Sequence, residues 1–225
     1  MKLLINTKEF LSALQYALEG TSRDKYRANL SRVFIRGTFV FGTDAYIITA
    51  THIHPVDISE GFCLAIERDI VKEIIKRFRV KKGMPDRLQI DYDDNTTVVS
   101  NAIDEFSFPT CKSYIIDPLE FIHTEEKIKS ESSTINISKE MLEELADRKK
   151  ESMIGKKSPN FSEYFSAGGV LLVHDSETEL NIHCKYLKIL AKNFSGELIT
   201  MYYNKTRAVY IYEGDRVTLI MPIIK

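Results

Sequence analysis

The 225-residue sequence lacks the motifs with which most enzymes bind phosphates, metals or substrates. It contains no glycine-rich phosphate loop, no nucleophile elbow and no cysteine pairs with zinc-site spacing. The three cysteines, Cys63, Cys111 and Cys184, are too few and too scattered for a disulfide framework, which favours a reducing cytoplasm. No apolar run approaches the ~20 residues that a membrane-spanning helix needs. These absences predict a cytoplasmic, non-membrane protein that is not an enzyme and holds no cofactor or metal.

The composition is that of a soluble globular protein, with 44% hydrophobic and 28% charged residues. The opening Met-Lys-Leu-Leu-Ile-Asn becomes polar too early for a signal peptide. A net charge of −1 argues against a uniformly basic nucleic-acid coat. It still permits basic residues gathered on one face, because the distribution of charge matters more than its sum.

Two pairs of reactive side chains leave alternatives open. His52 and His54 alternate at the end of a predicted strand with Asp57 nearby, which permits a metal pair but favours a strand end without a metal. His183 and Cys184 could act as base and nucleophile. Cys184 begins a predicted helix, however, and a structural role is favoured over a hydrolase.

An internal repeat is the strongest feature of the sequence. Three segments recur in the same order, residues 7–14 as 138–145, 66–78 as 182–194, and 106–109 as 219–222. Three ordered matches favour a duplicated domain of roughly a hundred residues. We therefore predict one domain over residues 1–122, with an interdomain segment at 106–122, a polar linker at 123–132, and a second domain at 133–225.

Each half has the same predicted elements. A short strand leads to an N-cap, Thr7 or Ser138, and then to a helix with apolar residues at helical spacing. Strand-like runs follow, with a second helix near residues 69–80 or 185–194, and residues 149–160 have the composition of a mobile loop. The apolar run that ends the chain, residues 215–225, must dock onto other residues, either as the last strand of a core or as part of a binding surface. The prediction is an α+β fold of two similar domains, each a β-sheet packed on two helices.

Basic residues cluster on the second helix of each half. Lys72 and Lys76 lie four residues apart and so share one helix face, and Lys188 and Lys192 repeat the pattern. A further basic run, residues 23–27, carries an aromatic side chain that could stack on bases. A solvated lysine face and an ordinary loop are the alternatives, although repetition in a nearly neutral protein raises the weight of a shared binding face.

Four segments resemble one known family. Residues 217–225 resemble a closing strand that ends in Met-Pro-Met-Arg, and residues 184–190 resemble a helix that opens around Tyr-Leu. Residues 42–50 resemble a strand turn written Ala-Thr-Asp-Gly-His-Arg-Leu-Ala, and residues 106–114 resemble an interdomain Phe-Pro-Asp-Tyr stretch. Taken in order, they are similar to the last two domains of the bacterial DNA polymerase III beta subunit, a DNA sliding clamp.

The resemblance implies a groove between the two domains for extended partner peptides with Leu and Phe anchors. Ala45-Tyr46-Ile47 replaces Gly-His-Arg in the family pattern, and Ile224-Lys225 replaces the usual basic ending. The groove should therefore be more apolar than in the family. Its implied wall is Leu30, Thr43, Ala45, Tyr46, Ile47, Ile48, Pro109, Tyr114, Leu219, Met221, Pro222 and Ile223.

The resemblance also implies a ring whose helices face double-stranded DNA and contact its phosphates without sequence preference. Family rings hold six domains, so two domains per chain imply a homotrimer closed by head-to-tail edges. The methionine start followed by a strand and a capped helix is expected of a natural short clamp. The implied DNA contacts are Arg23, Lys25, Arg27, Lys72, Lys76, Arg77, Lys185, Lys188 and Lys192.

The function implied by the resemblance is that of a processivity factor, which tethers a DNA polymerase and meets a clamp loader through short peptides. It would act near the nucleoid of a bacterial or phage-infected cell. The alternative is a clamp-fold adaptor that binds protein peptides and never encircles DNA.

Overall fold

The chain forms two compact units in the computed structural model. The first comprises Met1–Ile122 and Asp215–Val217, and the second comprises His123–Gly214 and Thr218–Lys225. The structure describes residues 1–24, 26–111, 117, 120–147, 157–158, 161–166, 169–173, 179–203 and 208–221. The predicted α+β class is confirmed, and the described strand pairs are antiparallel. None of the described helices combines the length and the apolar character needed to cross a bilayer.

The first unit contains two successive segments, and each consists of a strand, a helix and several further strands. Its elements are β1 (Lys2–Asn6), α1 (Thr7–Gly20), a 3-10 turn (Ala28–Ser31), β2 (Arg32–Arg36), β3 (Phe39–Thr43), β4 (Ile47–His52), β5 (Asp57–Ile58), β6 (Cys63–Glu67), α2 (Arg68–Arg77), β7 (Arg87–Tyr92), β8 (Thr96–Ser100) and β9 (Glu105–Pro109). The two segments exchange their first strands, because β1 pairs with β7 and β6 pairs with β2. The resulting strand orders are β5-β1-β7-β8-β9 and β6-β2-β3-β4. The prediction of one sheet per domain is therefore wrong for this unit.

Both helices of the first unit contribute to one core. Phe10, Leu14 and Ala17 on α1 are buried, as are Val71 and Ile74 on α2. These spacings place the apolar residues of each helix on one side, which the sequence pattern predicts. The opposite sides are left to polar and charged residues.

Two glycines let α1 lie close to β3. A Cβ on Gly42 would collide with the carbonyl oxygen of Ala17, and one on Gly20 would stand 2.6 Å from that of Gly42. Contacts this short exclude any larger residue without backbone movement. Oγ1 of Thr49 also donates to the carbonyl of Tyr16 at 3.1 Å. The position of α1, and of the side chains it carries, is thus fixed by backbone packing.

The second unit repeats much of this plan. Its elements are α3 (Glu125–Glu131), β10 (Ser133–Ser138), α4 (Lys139–Asp147), β11 (Lys157–Ser158), β12 (Phe161–Ser166), β13 (Gly169–Val173), β14 (Glu179–His183), α5 (Cys184–Asn193), β15 (Leu198–Tyr203), β16 (Val209–Glu213) and β17 (Arg216–Ile220). The order β10-β15-β16-β17 corresponds to β1-β7-β8-β9. The described strands β11 to β14 form a meander instead, so β14 pairs with β13. The repeat is therefore closest for the second helix and the strands that follow it.

Some local predictions differ from the structure. Asn6, not Thr7, caps α1, because its Oδ1 accepts from the backbone N–H of Glu9 at 3.1 Å. Ser138 does cap α4, through Oγ and the N–H of Met141 at 3.2 Å. The predicted polar linker contains α3, whose Ile128 is buried. Most of the predicted mobile loop at 149–160 lies outside the described residues, and its residues 157–158 form β11.

Candidate nucleic-acid interface

Five basic residues line a cleft of about 700 Å³ between α1 and α2, which we call the helix cleft. Its apolar floor includes Leu11, Ile75 and Val80. Residues spaced by three or four positions share a helix face, so the register of α2 that buries Val71 and Ile74 turns Lys72 and Lys76 outward. The basic lining residues are Lys8, Lys72, Lys76, Arg79 and Lys81. A cleft of this composition suits an anionic chain such as a nucleic-acid backbone.

The two predicted lysines of α2 form ion pairs within their own helix. Nζ of Lys72 lies 2.6 Å from Oδ1 of Asp69, and Nζ of Lys76 lies 3.7 Å from Oε2 of Glu73. All four side chains are substantially exposed, so solvent screens each pair and each is weak. The carboxylates nevertheless offset part of the positive potential that α2 presents.

Arg77, a third predicted DNA contact, is bonded to the β8–β9 hairpin. Its Nε and Nη2 donate to the two carboxylate oxygens of Asp104 at 2.7 and 2.6 Å, and its guanidinium lies 5.5 Å from the ring centre of Phe106. These hydrogen bonds hold the pKa of the Asp104 carboxyl below its usual range. The bidentate geometry gives Arg77 a role in fastening the end of α2 to the sheet.

A second basic cleft, which we call the arginine cleft, lies at the start of α2. Arg68 donates to the carbonyl of Leu18 at 2.6 Å and also contacts Thr21 Oγ1, which itself donates to the same carbonyl at 2.9 Å, so two groups satisfy this carbonyl near the end of α1. Burial, and then the nearby charge of Arg23, lowers the pKa of Arg68. The cleft is lined by Ser22, Arg23, Ala28, Ser31, Arg32, Glu67, Arg68, Asp69 and Lys72.

Sequence reasoning included Arg23 and Lys72 but missed Arg32 and Arg68 as members of this cleft. Arg32 and Arg68 are separated along the chain and become neighbours because β2 pairs with β6 immediately before α2. A basic residue directly after a strand, at the first position of a helix, was the available signal for Arg68.

The predicted basic run after α1 is partly described. Arg27 forms an exposed ion pair with Asp24, at 3.9 Å between Nε and Oδ2. The side chain of Tyr26 is 99% exposed, and its backbone N–H donates to Oδ1 of Asp24 at 2.9 Å. Lys25 lies outside the described residues. The Asp24 turn holds Tyr26 out in solvent, where an aromatic ring could stack on a base.

The corresponding helix of the second unit, α5, presents a different charge pattern. Lys185, Lys188 and Lys192 are exposed on one side, while Leu187 and Leu190 are buried. No acidic residue occurs within Cys184–Asn193. Helix α5 therefore carries a positive stripe that its own sequence does not offset.

The adjacent helix α4 has the opposite charge. It packs against α5, and its Glu140 and Glu143 are exposed. Lys139, at the start of α4, donates through Nζ to the carbonyl of Phe194 at 2.7 Å. The helical surface of the second unit thus joins an acidic stripe to a basic one.

The predicted peptide-binding residues of the first unit centre on the turn before β4. Oδ1 of the buried Asp44 accepts from the N–H groups of Tyr46 and Ile47 at 3.1 and 3.2 Å. Ala45 has φ +80°, a left-handed conformation in which glycine is favoured. This conformation accounts for the glycine at that position of the family pattern. The turn leaves the Tyr46 side chain 54% exposed.

The remaining predicted groove residues differ widely in exposure. Ile47, Thr43 and Leu219 are buried, and Leu30 and Ile48 are half-buried. Pro109 is exposed, and Met221 is 41% exposed. Tyr114, Pro222 and Ile223 lie outside the described residues, as do the side chains of His183 and Cys184. Among the described members, Tyr46 and Met221 offer the largest exposed apolar groups.

These elements build the fold of a DNA sliding clamp. No family model matches the sequence, and no curated protein matches it. Solved bacterial DNA polymerase III beta clamps match along the whole chain. The clamp of Helicobacter pylori, bound to a DNA ligase peptide, matches with a TM-score of 0.74 at 16% identity, and the match covers 66% of that clamp chain. The clamp of Bartonella birtlesii, bound to griselimycin, matches with a TM-score of 0.76 at 12% identity, and the match covers 66% of that clamp chain.

The Bacillus subtilis sliding clamp also matches the whole chain, with a TM-score of 0.72 at 14% identity. The present chain spans 64% of the length of that clamp and 66% of the length of the other two. At these identities the likeness establishes the shared fold. It confirms the resemblance that the sequence segments indicate.

Proposed function

We propose that this chain is a DNA polymerase processivity factor, a non-enzymatic sliding clamp that encircles duplex DNA at the nucleoid of a bacterial or phage-infected cell. The single observation that carries the proposal is the recurrence of exposed lysines on α2 and α5, at equivalent places in two clamp-fold units. Duplicated structure alone requires only the buried stripe of each helix to recur. Recurrence of the exposed charge favours a shared ligand.

The proposed contacts go to phosphates and carry no sequence information. Lys72, Lys188 and Lys192 project from helices as long, flexible cations, which suits contacts that form and break during sliding. Each neutralised phosphate steepens the salt dependence of affinity by about 0.9 in the log–log slope. A closed ring stays on DNA through its topology, so a nearly neutral chain can serve with few such contacts.

We propose that the ring contains three copies of the chain. The solved clamps are about half as long again as this chain, and two of the longer chains in the family close a ring of six domains. Three copies with two units each would give the same number, joined by head-to-tail edges. Light scattering should then give three times the 25.9 kDa chain mass at micromolar concentration. A persistent monomer that also fails to bind DNA would contradict the proposal.

The proposed tether is a partner peptide from the polymerase or the clamp loader. The solved Helicobacter clamp carries a ligase peptide, and the exposed Tyr46 of the first unit is an apolar group here that could receive a Leu or Phe anchor. Replacing Tyr46 by Ala should weaken binding of a labelled peptide ending in Leu-Phe at least about tenfold, which is typical of a central anchor contact.

Ile103 provides a matched control for Tyr46, because it is also a large apolar residue and is 66% exposed. The Ile103→Ala variant should bind the labelled peptide as the unaltered protein does. Equal losses in the two variants would point to nonspecific stickiness. An unchanged affinity in Tyr46→Ala would place the peptide elsewhere.

The acidic stripe on α4 favours one alternative, a clamp-fold adaptor that binds peptides without encircling DNA. Exposed Glu140 and Glu143 would repel a phosphate backbone held against α5. The two functions separate in one measurement, since an adaptor binds the peptide normally while its DNA binding does not exceed that of a matched neutral protein.

A further inference from the structure

Side chains of metal-binding type meet in the first unit where β4 ends and β17 begins. His52 is the last residue of β4, His54 lies two positions further, and Asp215 directly precedes β17. One ring nitrogen from each histidine and one carboxylate oxygen of Asp215 all lie within 4.8 Å of one another. Alternate residues of an extended strand point to the same side, which is why the two imidazoles converge.

Backbone hydrogen bonds hold the group together. The N–H of His52 donates to the carbonyl of Asp215 at 2.8 Å, and the N–H of His54 donates to Oε1 of Glu9 at 2.7 Å. The two imidazole ring centres are 5.0 Å apart, and the ring of Phe39 lies 5.1 Å from that of His52. The ligand-type side chains are therefore brought close by the fold, although they are far apart in the sequence.

Glu9 supplies an orienting contact of the kind found behind metal-bound histidines. Its Oε1 lies 3.1 Å from Nδ1 of His54. When Nδ1–H donates to this carboxylate, Nε2 presents a lone pair, and that atom lies 3.7 Å from Oδ1 of Asp215. Two atoms that both offer lone pairs repel each other unless a cation or a proton lies between them. A carboxylate–histidine pair of this kind fixes the tautomer and strengthens the ligand.

We propose that His52, His54 and Asp215 bind one Zn²⁺ ion, with Glu9 as a positioning residue. Two imidazoles and one carboxylate form a donor set that suits zinc and leaves a fourth position for water. Calcium and magnesium prefer oxygen ligands and fit this set poorly.

The ligand atoms need to move only a short distance towards one another to bind zinc. Ligand distances of about 2 Å place tetrahedral donor atoms roughly 3.3 Å apart, so a spread of up to 4.8 Å must contract modestly. The side chains of His54 and Asp215 are 60% and 59% exposed, which leaves them room to move and leaves the ion an entry path.

The bound ion would fasten the start of β17 to the end of β4. The next residue, Arg216, already holds the same strand to α1, because Nη2 donates to Oγ of Ser12 at 3.0 Å and the guanidinium lies 4.9 Å from the ring centre of Tyr16. Zinc at Asp215 would therefore reinforce an existing attachment, and its binding should raise the thermal midpoint of unfolding.

The experiment titrates tag-free, full-length protein with Zn²⁺ by calorimetry and with Co²⁺ by visible absorption. We expect one equivalent of each metal to bind, with the intense absorption of tetrahedral Co²⁺, and a zinc-dependent rise in the thermal midpoint. The absence of saturable binding at about ten equivalents of zinc, or a weak octahedral Co²⁺ spectrum, would overturn the proposal.

Variants locate the site. Asp215→Asn, which keeps the side-chain shape, and Glu9→Gln should each weaken zinc binding by about 10- to 100-fold. Asp57→Asn is the matched control, because the sequence places Asp57 near the histidines whereas the structure pairs it with Lys2 at 3.6 Å. Circular dichroism verifies that each variant is folded. Full zinc affinity in the His52→Ala/His54→Ala double variant would overturn the assignment.

Discussion

Helices α2 and α5 occupy equivalent places in the two units but carry their lysines in different surroundings. On α2, Asp69 and Glu73 each lie three residues before a lysine and form ion pairs with Lys72 and Lys76. On α5 the same stretch contains no carboxylate. The two helices therefore differ in the carboxylates that their own sequences supply, although α5 also packs against α4, which exposes Glu140 and Glu143. If the chain encircles DNA, we expect α5 to supply the stronger phosphate contacts, because its own sequence has three lysines and no acidic residue.

The largest effect is expected from the α5 lysines. Changing Lys188 and Lys192 to Gln should lower the slope of log affinity against log salt by about 1.8 for each copy that contacts DNA, since each lost phosphate contact removes about 0.9. Changing both residues to Glu should abolish measurable binding. Fluorescence anisotropy on a short linear duplex, onto whose ends a ring can thread, provides the measurement. A slope equal to that of the unaltered protein would show that α5 does not face DNA.

A smaller loss is expected from the matching change on α2. Lys72→Gln with Lys76→Gln should lower the same slope by less than about 1.8, because the paired carboxylates already offset these charges. The measurement repeats the anisotropy titration under identical conditions. An equal decrease of the salt slope in the α2 and α5 double variants would contradict the predicted difference between the two helices.

Removing the carboxylates of α2 should strengthen its phosphate contacts. The Asp69→Asn/Glu73→Gln variant leaves Lys72 and Lys76 without their ion-pair partners, so the slope should steepen and affinity at low salt should rise. Asp69 lies in the first turn of α2, where its negative charge also interacts favourably with the positive end of the helix dipole. A small loss of thermal stability should therefore accompany the change. Unchanged DNA binding would mean that the α2 lysines contact no phosphate.

The smallest effect on DNA binding is expected at Arg77. Its guanidinium is engaged with Asp104 and Phe106, so Arg77→Gln should leave the salt slope unchanged and lower stability instead. The pKa of Asp104 is depressed in the folded state, so its contribution to stability is present above the unfolded pKa and is lost as the pH falls through the folded pKa.

Urea denaturation at neutral and acidic pH tests this assignment of Arg77. The unaltered protein should lose more stability on acidification than Arg77→Gln, because the variant lacks the charge-assisted bond that depresses the Asp104 pKa. Asp104→Asn should behave like Arg77→Gln. A normal acid response in Arg77→Gln, combined with a reduced salt slope, would assign the arginine to DNA instead.

The sequence predicted features that depend on local periodicity. The α+β class, the buried stripes of the helices and the exposure of Lys188 and Lys192 all follow from spacing along one segment. The cap at Ser138 was also predictable, since a hydroxyl before an acidic helical turn is a common start. At α1 the same reasoning chose Thr7, but the preceding amide side chain of Asn6 makes the bond.

Features that depend on distant residues were not predictable. Strand β1 pairs with β7, and β6 pairs with β2, so each strand lies in a sheet with strands that are distant in the sequence. Local spacing along one segment does not reveal these pairings. Asp215 reaches His52 and His54 because β17 starts beside the end of β4, so local spacing pointed to Asp57 instead. Ile128 is buried by tertiary packing that a polar local composition conceals.

The most direct test of the sliding-clamp proposal loads the protein over the ends of a linear duplex at low salt, blocks both ends of half the sample with streptavidin bound to terminal biotins, and compares retention after a shift to high salt. High salt weakens phosphate contacts but does not open a topological link. The proposal predicts that the chain stays on the duplex with blocked ends and is lost from the open duplex by sliding off its ends. Equally fast release from both forms would contradict encirclement and favour the adaptor.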